Sequence, residues 1–231
     1  MKIVTWNCNG AFRKKFEHLS HINADIYVIQ ECEDPEKCKD QSYKNWASNY
    51  LWTGNNKNSG LGVFAKKNIL LKQLDWDSEG LESFIPFKVN EEFIFLGVWT
   101  KRSNSSTFQY IEQLWKYLQA HQSKFHPLKS IICGDFNSNA CWDKQHRWNH
   151  SEVVNDLAKL NIHSVYHHLN NIGQGKETLH TFYLHRKIEK PYHIDYAFVS
   201  SNLLSSASFE IGNFNEWILL SDHMPIIFEL D

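Results

Sequence analysis

A layered α/β sandwich with substantial antiparallel pairing is the fold class that the sequence predicts. Strand-like apolar runs alternate in part with helix-periodic segments, yet several strands follow one another between Tyr50 and Thr100 without a helix, which disfavours a purely doubly wound sheet. The chain has 231 residues, 42% hydrophobic and 14% aromatic, without a linker, a repeat or a low-complexity tract. Residues 1–231 are therefore expected to fold as one domain around a sizeable core.

Lys2 to Cys8 reads as a strand closing on Asn7-Cys8-Asn9-Gly10, where the Asn-Gly pair signals a turn and leaves Asn7 at a strand end. Phe12, Phe16, Leu19 and Ile22 recur at helical spacing and predict an amphipathic helix from Ala11 to Ile22. The apolar run Ile26 to Ile29 delivers Gln30 and Glu31 to its carboxyl end. Glu33 to Asn45, polar and holding Pro35, is expected at the surface with one short helix. Tyr50 to Thr53 and Leu61 to Ala65 are expected strands, separated by a turn through Asn55, Asn56, Asn58 and Gly60. Strands continue over Ile69 to Leu74, Ser83 to Val89 and Glu92 to Thr100, with Asn90-Glu91-Glu92 as a tight connection and Trp99-Thr100-Lys101-Arg102 as a basic edge. Ser106 and Gln109 have the spacing of a capping box, ahead of the helical face Phe108, Ile111, Leu114, Trp115 and Leu118.

The chain is organised around Lys129 to Asn137. Ile131, Ile132 and Cys133 form the continuous apolar run of a strand buried on both faces, and Gly134 is expected to break it. Asp135 and Asn137 alternate in direction with Phe136 and so leave the strand end on the same side. An acid and an amide at the carboxyl end of a buried strand are suited to binding a metal or polarising a water. Gly, Asp and Asn also favour ordinary turns, so this stretch alone leaves site and turn both open.

Beyond it comes a loop with Trp142, His146, Arg147, Trp148 and His150, then a helix marked by Val153, Leu157 and Leu160. Leu179 to Leu184, Tyr192 to Ser200, Phe209 to Ile211 and Pro225 to Leu230 are the remaining expected strands, with Ser221-Asp222-His223 just before the last. Asp195 lies inside an apolar strand, and an unpartnered buried carboxylate is costly. His223 is the best-placed partner for it.

The net charge of −2 gives no global attraction to nucleic acid or an anionic membrane, so polyanion binding has to come from a local patch. No signal peptide and no membrane-length apolar run is visible, and five cysteines without a zinc-like spacing read as free thiols in a reducing cytoplasm. Cys8, Cys32 and Cys133 are expected in the core.

Six short motifs, Thr5-Trp6-Asn7, Gln30-Glu31, Gly60-Leu61-Gly62, Gly134-Asp135-Phe136-Asn137, His193-Ile194-Asp195-Tyr196 and Ser221-Asp222-His223, fall in this order over nearly the whole chain. Together they resemble the endonuclease/exonuclease/phosphatase superfamily. The resemblance implies a four-layer α/β sandwich, two packed and mainly antiparallel sheets with helices outside. It implies a Mg²⁺-dependent phosphoesterase, with Mn²⁺ as an alternative, acting on nucleic acid or another phosphoester; no obligate protein partner is evident in the sequence. Glu31 is then the principal metal ligand, Asp135 orients or deprotonates the attacking water, and Asn7 and Asn137 bind phosphate oxygens. His223, oriented by Asp195, donates to the phosphoryl group, and Asp222 is a second metal-site group.

The chain departs from the pattern in two places. Asn9 stands where many repair members carry an acid, which weakens a second metal site, and the strand end at Trp99-Thr100-Lys101 lacks the expected His or Tyr, leaving Lys101 or Arg102 as substitutes. His180, in a segment His180-Thr181-Phe182-Tyr183 that also resembles exonuclease-like members, is a candidate substrate contact, as are Trp142, Arg147 and His150 at the pocket mouth. A nuclease or other phosphodiesterase is the leading reading. A phosphomonoesterase or lipid-headgroup hydrolase of the same fold is its rival, and a non-catalytic binding module comes last, because no central site residue is missing.

Overall fold

The computed structural model describes all residues except 104–106, 127–128 and 146. In chain order the strands and helices are β1 (Lys2–Asn7), β2 (Ile26–Cys32), α1 (Gln41–Trp46), β3 (Tyr50–Asn56), β4 (Ser59–Ala65), β5 (Leu71–Gln73), β6 (Phe84–Val89), β7 (Phe93–Trp99), α2 (Ile111–His121) and β8 (Ser130–Asp135). They continue as α3 (His150–Lys159), β9 (Ile162–Ser164), α4 (Val165–Asn170), β10 (Phe182–Tyr183), β11 (Pro191–Tyr192), β12 (Asp195–Ser200), β13 (Ser208–Ile211), α5 (Phe214–Trp217) and β14 (Ile226–Glu229). Among the described residues they form two six-stranded sheets, ordered β13-β14-β1-β2-β4-β3 and β5-β6-β7-β8-β12-β9, and a β10-β11 ribbon. Pairing is antiparallel except for β1 with β2 and β7 with β8. No helix in the described residues is long and apolar enough to cross a membrane.

Strand alternation sorts the side chains into layers. Ile3, Val28, Val63, Phe87, Phe95, Ile131, Cys133, Ala197, Val199 and Phe228 pack between the sheets. Val4, Trp6, Tyr27 and Ile29 instead face an outer layer with Phe12, Phe16, Tyr43 and Trp217, while Ile132, Tyr196 and Phe198 face α2 and α3 on the other side. Helices therefore cover the outer face of each sheet, and the four-layer sandwich follows. By the same alternation Asn7 points inward with Ile3, Asp135 with Ile131 and Cys133, and Asp195 with Ala197 and Val199.

Several expected elements come out differently. The helix predicted from Ala11 to Ile22 is two 3-10 segments, Phe12–Lys14 and Phe16–Ile22, interrupted at Lys15. Phe16, Leu19 and Ile22 are three apart, a spacing that a 3-10 helix aligns on one side, so the pattern fits either winding. Lys15 Nζ donates to the Cys8 carbonyl at 2.6 Å, which ties this segment to the end of β1. The strand expected from Tyr192 to Ser200 splits at His193-Ile194, and Leu179 to Leu184 shortens to Phe182–Tyr183. Here the Thr181 hydroxyl, not a strand ladder, accepts the Ile194 and Asp195 amides, each at 3.0 Å. The Ser106 half of the capping box lies outside the described residues, as does His146. A capping box does occur at Asn149 and Glu152, ahead of α3.

Gly134 does not end its strand. It pairs with Val98 on one side and Tyr196 on the other, at φ 147°. A Cβ there would lie 1.9 Å from the Val98 carbonyl oxygen, a backbone atom fixed in the parallel ladder. Glycine alone lets β8 run straight to Asp135. Gly134→Ala is expected to destabilise the fold by more than about 3 kcal/mol, measured by urea denaturation.

Candidate active site

Sheet topology brings the site together at one rim. Because β1 and β2 are parallel, Asn7 pairs with Gln30 and both strands deliver their carboxyl ends to the same edge. β14 runs antiparallel to β1 with Ile226 opposite Thr5, so His223, three residues earlier, arrives beside the end of β1. In the facing sheet Asp195 opens β12 directly opposite Asp135 at the end of β8. Side chains from residues 7 to 223 thus meet between the sheets, where their apolar core gives way to polar groups.

Asn7 joins the two sheets. Its Nδ2 donates to Glu31 Oε1 at 3.1 Å and to Asp135 Oδ2 at 2.9 Å, while its Oδ1 accepts the Asn9 amide at 3.0 Å. Asp135 is also held by Asn137, whose backbone N–H donates to Oδ1 and whose Nδ2 donates to Oδ2, both at 2.8 Å. The second hydrogen of that amide goes to the Thr100 carbonyl at 2.8 Å, and the Thr100 hydroxyl donates to the Phe136 carbonyl. Both hydrogens of each amide are therefore committed. In this arrangement Asn7 and Asn137 position the acids. The strand end that lacks a His or Tyr contributes Thr100, which fixes the Asn137 turn.

His223 Nδ1 lies 2.9 and 3.2 Å from the two Asp195 carboxylate oxygens, which leaves Nε2 for another partner. The imidazole is oriented further by its backbone: its N–H donates to Ser221 Oγ at 3.0 Å, Ser221 Oγ donates to the Asn7 carbonyl at 2.7 Å, and its carbonyl accepts from Trp6 Nε1 at 2.9 Å. Asp135 is 0% exposed, Asp195 2% and His223 5%. Burial, reinforced by the Asp195 charge, pushes the Asp135 carboxyl up to about 8. Burial would lower the His223 imidazole, but Asp195 and Asp135 outweigh it and push it up to about 10. Two desolvated acids and one base held this close stabilise a shared proton.

Glu31 reaches this rim by a backbone irregularity. The β2–β4 register shifts between Gln30, opposite Leu61, and Cys32, opposite Gly60, so Glu31 is the extra residue of a β-bulge and adopts φ 63°. Strict alternation from Val28 would turn Glu31 outward; the bulge turns it toward Asn7 and sends Cys32 to the outer layer instead. Asp135, Asp195 and His223 have one potential ligand atom each within 4.8 Å of one another, a group that could hold a metal ion. In that group, however, Asp195 is committed to His223 and both Asp135 oxygens accept hydrogen bonds. Glu31 is only half-buried, and its carboxylate oxygens suit a hard divalent cation that keeps several waters.

The other expected residues divide. Asp222 Oδ1 accepts from Asn9 Nδ2 at 2.9 Å, and the Arg186 guanidinium lies 3.5 Å from Oδ1 of that same Asn9 amide. Trp142 packs on Tyr192 at 5.1 Å, and Phe182 packs on both Tyr192 and His223, so an aromatic chain leads from Trp142 to the site. His180 is partly buried beside Tyr183. Lys101 lies over the Trp99 ring and 3.6 Å from Glu82, and Arg147 lies over Trp148 in a stack with Trp115. His150 is not at a pocket mouth: it is 1% exposed, bonded to Gln174 and packed on Tyr196, because the α3 face it occupies is the core face. Thr181, Ser221 and Thr100 were not singled out as site residues. Each acts through a hydroxyl on backbone that only the fold reveals, although Thr181 and Ser221 stand inside recognisable motifs.

A family model described as Endonuclease/Exonuclease/phosphatase family matches residues 4–223. Among solved structures, an AP endonuclease from Archaeoglobus fulgidus is similar at 18% identity and TM-score 0.72, covering 100% of this chain and 99% of that one. A 3' phosphatase, NExo from Neisseria, bound to a product DNA hairpin, gives the same identity, coverage and score. The endonuclease domain of TRAS1, a telomere-specific non-LTR retrotransposon, is 15% identical at TM-score 0.66, covering 99% and 97%. A search of curated protein sequences finds no match.

Thr181→Val keeps the shape of a fully buried side chain but strips the Ile194 and Asp195 amides of their acceptor. It is expected to cost about 2–4 kcal/mol in chemical denaturation, since two buried donors lose their partner.

Proposed function

Because the chain belongs to the Endonuclease/Exonuclease/phosphatase family, it hydrolyses phosphoester bonds, and we propose that it is a nuclease using a divalent cation, Mg²⁺ or Mn²⁺, held at Glu31. The observation that carries this reading is the single Asn7 amide bonded to both Glu31 and Asp135, with the His223–Asp195 pair on the same rim. A bound cation would neutralise charge on the phosphoryl oxygens and polarise the scissile group. The protein supplies the rest. Asp135, in its ionised form, orients the attacking water and takes its proton. His223, kept cationic by Asp195, donates from Nε2 to a phosphoryl oxygen. Asn7 and Asn137 hold the acids in register, and Trp142 and Tyr192 offer ring faces at the approach.

Nucleic acid is favoured as the substrate because two of the similar structures are endonucleases and a third is bound to DNA. A phosphomonoester is the second reading, supported by the net charge of −2 and by the 3' phosphatase relative. Five unpaired cysteines fit a reducing compartment such as the cytoplasm.

The test is hydrolysis of plasmid, single-stranded DNA, duplex DNA, RNA and a phosphomonoester panel, with Mg²⁺ or with chelator. The wild type is expected to cleave nucleic acid only with metal, and Asp135→Asn to lower kcat by at least about 100-fold. Turnover confined to monoesters would select the second reading, and full activity in Asp135→Asn would remove Asp135 from the chemistry.

A further inference from the structure

The bulge that presents Glu31 is braced from two strands away. In the sheet order β4 lies between β2 and β3, yet the Trp52 indole, carried by β3, crosses β4 and donates from Nε1 to the Cys32 carbonyl at 3.3 Å. Cys32 immediately follows the bulged residue, and its carbonyl belongs to the Cys32–Glu33 peptide, the first one beyond the bulge.

The crossing requires bare backbone on β4. A Cβ on Gly60 would lie 2.3 Å from Trp52 Cζ2, and one on Gly54, along β3, would lie 2.8 Å from Trp52 Cη2. Gly62 makes room in the same way for Cys32, whose Sγ would meet its Cβ at 2.7 Å. The Cys32 thiol in turn points at the Ile29 and Gly60 carbonyls, at 3.4 and 3.7 Å. The glycines on β4 thus clear a passage that lets an indole and a thiol lock the bulge. A φ of 63° at a glutamate is a conformation that persists only where the surroundings enforce it.

We propose that Trp52 is a positioning residue for Glu31: its N–H holds the Cys32 peptide, which fixes the bulge and aims the Glu31 carboxylate, and it thereby sets affinity for the divalent cation. This rests on the reading of Glu31 as the metal-holding residue. Trp52 touches neither substrate nor metal. Its effect appears in cation binding before it appears in chemistry.

The test is direct titration of Mn²⁺ by electron paramagnetic resonance, which reads free ion without any turnover, on wild type, Trp52→Phe, Gly60→Ala and Glu31→Gln, each checked for folding by circular dichroism. Trp52→Phe keeps an aromatic ring and removes only the donor. It is expected to weaken Mn²⁺ by about 10-fold, in line with other residues that orient metal ligands, while raised Mg²⁺ restores turnover. Gly60→Ala, which displaces the indole by a different route, is expected to weaken Mn²⁺ as well. If Glu31→Gln abolishes Mn²⁺ binding but Trp52→Phe stays within about twofold of wild type, the role of Trp52 is overturned and the metal reading survives. If Glu31→Gln binds Mn²⁺ as wild type does, both are overturned.

Discussion

Two carboxylates buried side by side are the constraint on which the rest of the structure depends. Asp135 closes β8 and Asp195 opens its partner β12 at one register position, and neither has bulk water to stabilise its charge. Everything nearby answers that cost. Asn7 and Asn137 aim amide hydrogens at Asp135, Thr181 secures the backbone of Asp195, and His223 supplies the compensating positive charge. A site assembled this way is pre-organised, because its groups are held by hydrogen bonds to the scaffold and do not wait for substrate.

The sheet architecture makes the arrangement affordable. Each sheet contains one parallel pair, β1 with β2 and β7 with β8, and two parallel strands bring their carboxyl ends to a single edge. Antiparallel β12 and β14 then start where β8 and β1 stop. Apolar residues along the same strands fill the space between the sheets, so the polar residues stand on rigid strand ends at its rim. Two local irregularities complete the design: Gly134 carries β8 through a close approach to Val98, and the bulge at Glu31 overrides strand alternation.

Much of this was legible in the sequence. Asn7, Glu31, Asp135, Asn137, Asp195 and His223 each stand beside an apolar run that marks a buried strand, and the pairing of Asp195 with His223 follows from the cost of an unpartnered buried acid. What local pattern does not encode is winding and register. The spacing at Phe16, Leu19 and Ile22 fits a 3-10 turn as well as an α-helix, and Gly134 looks like a strand breaker until Val98 is seen against it. The bulge at Glu31 exists only relative to β4. His150 looked like a loop residue, but the Asn149 cap begins the helix in front of it and turns it into the core. The amide roles of Asn7 and Asn137 had to wait for their partners' positions.

The buried acids are expected to keep His223 charged, and two-bond ¹H–¹⁵N correlation spectroscopy of the metal-free protein reads this, with the His223 ring signals assigned by their loss in His223→Asn. At about pH 8, well above the ordinary histidine range, an imidazole pushed up to about 10 shows both ring nitrogens protonated. That imidazolium signature is the predicted result. A neutral ring with a single protonated nitrogen at that pH would mean that Asp135 and Asp195 fail to hold the charge on which the arrangement is built.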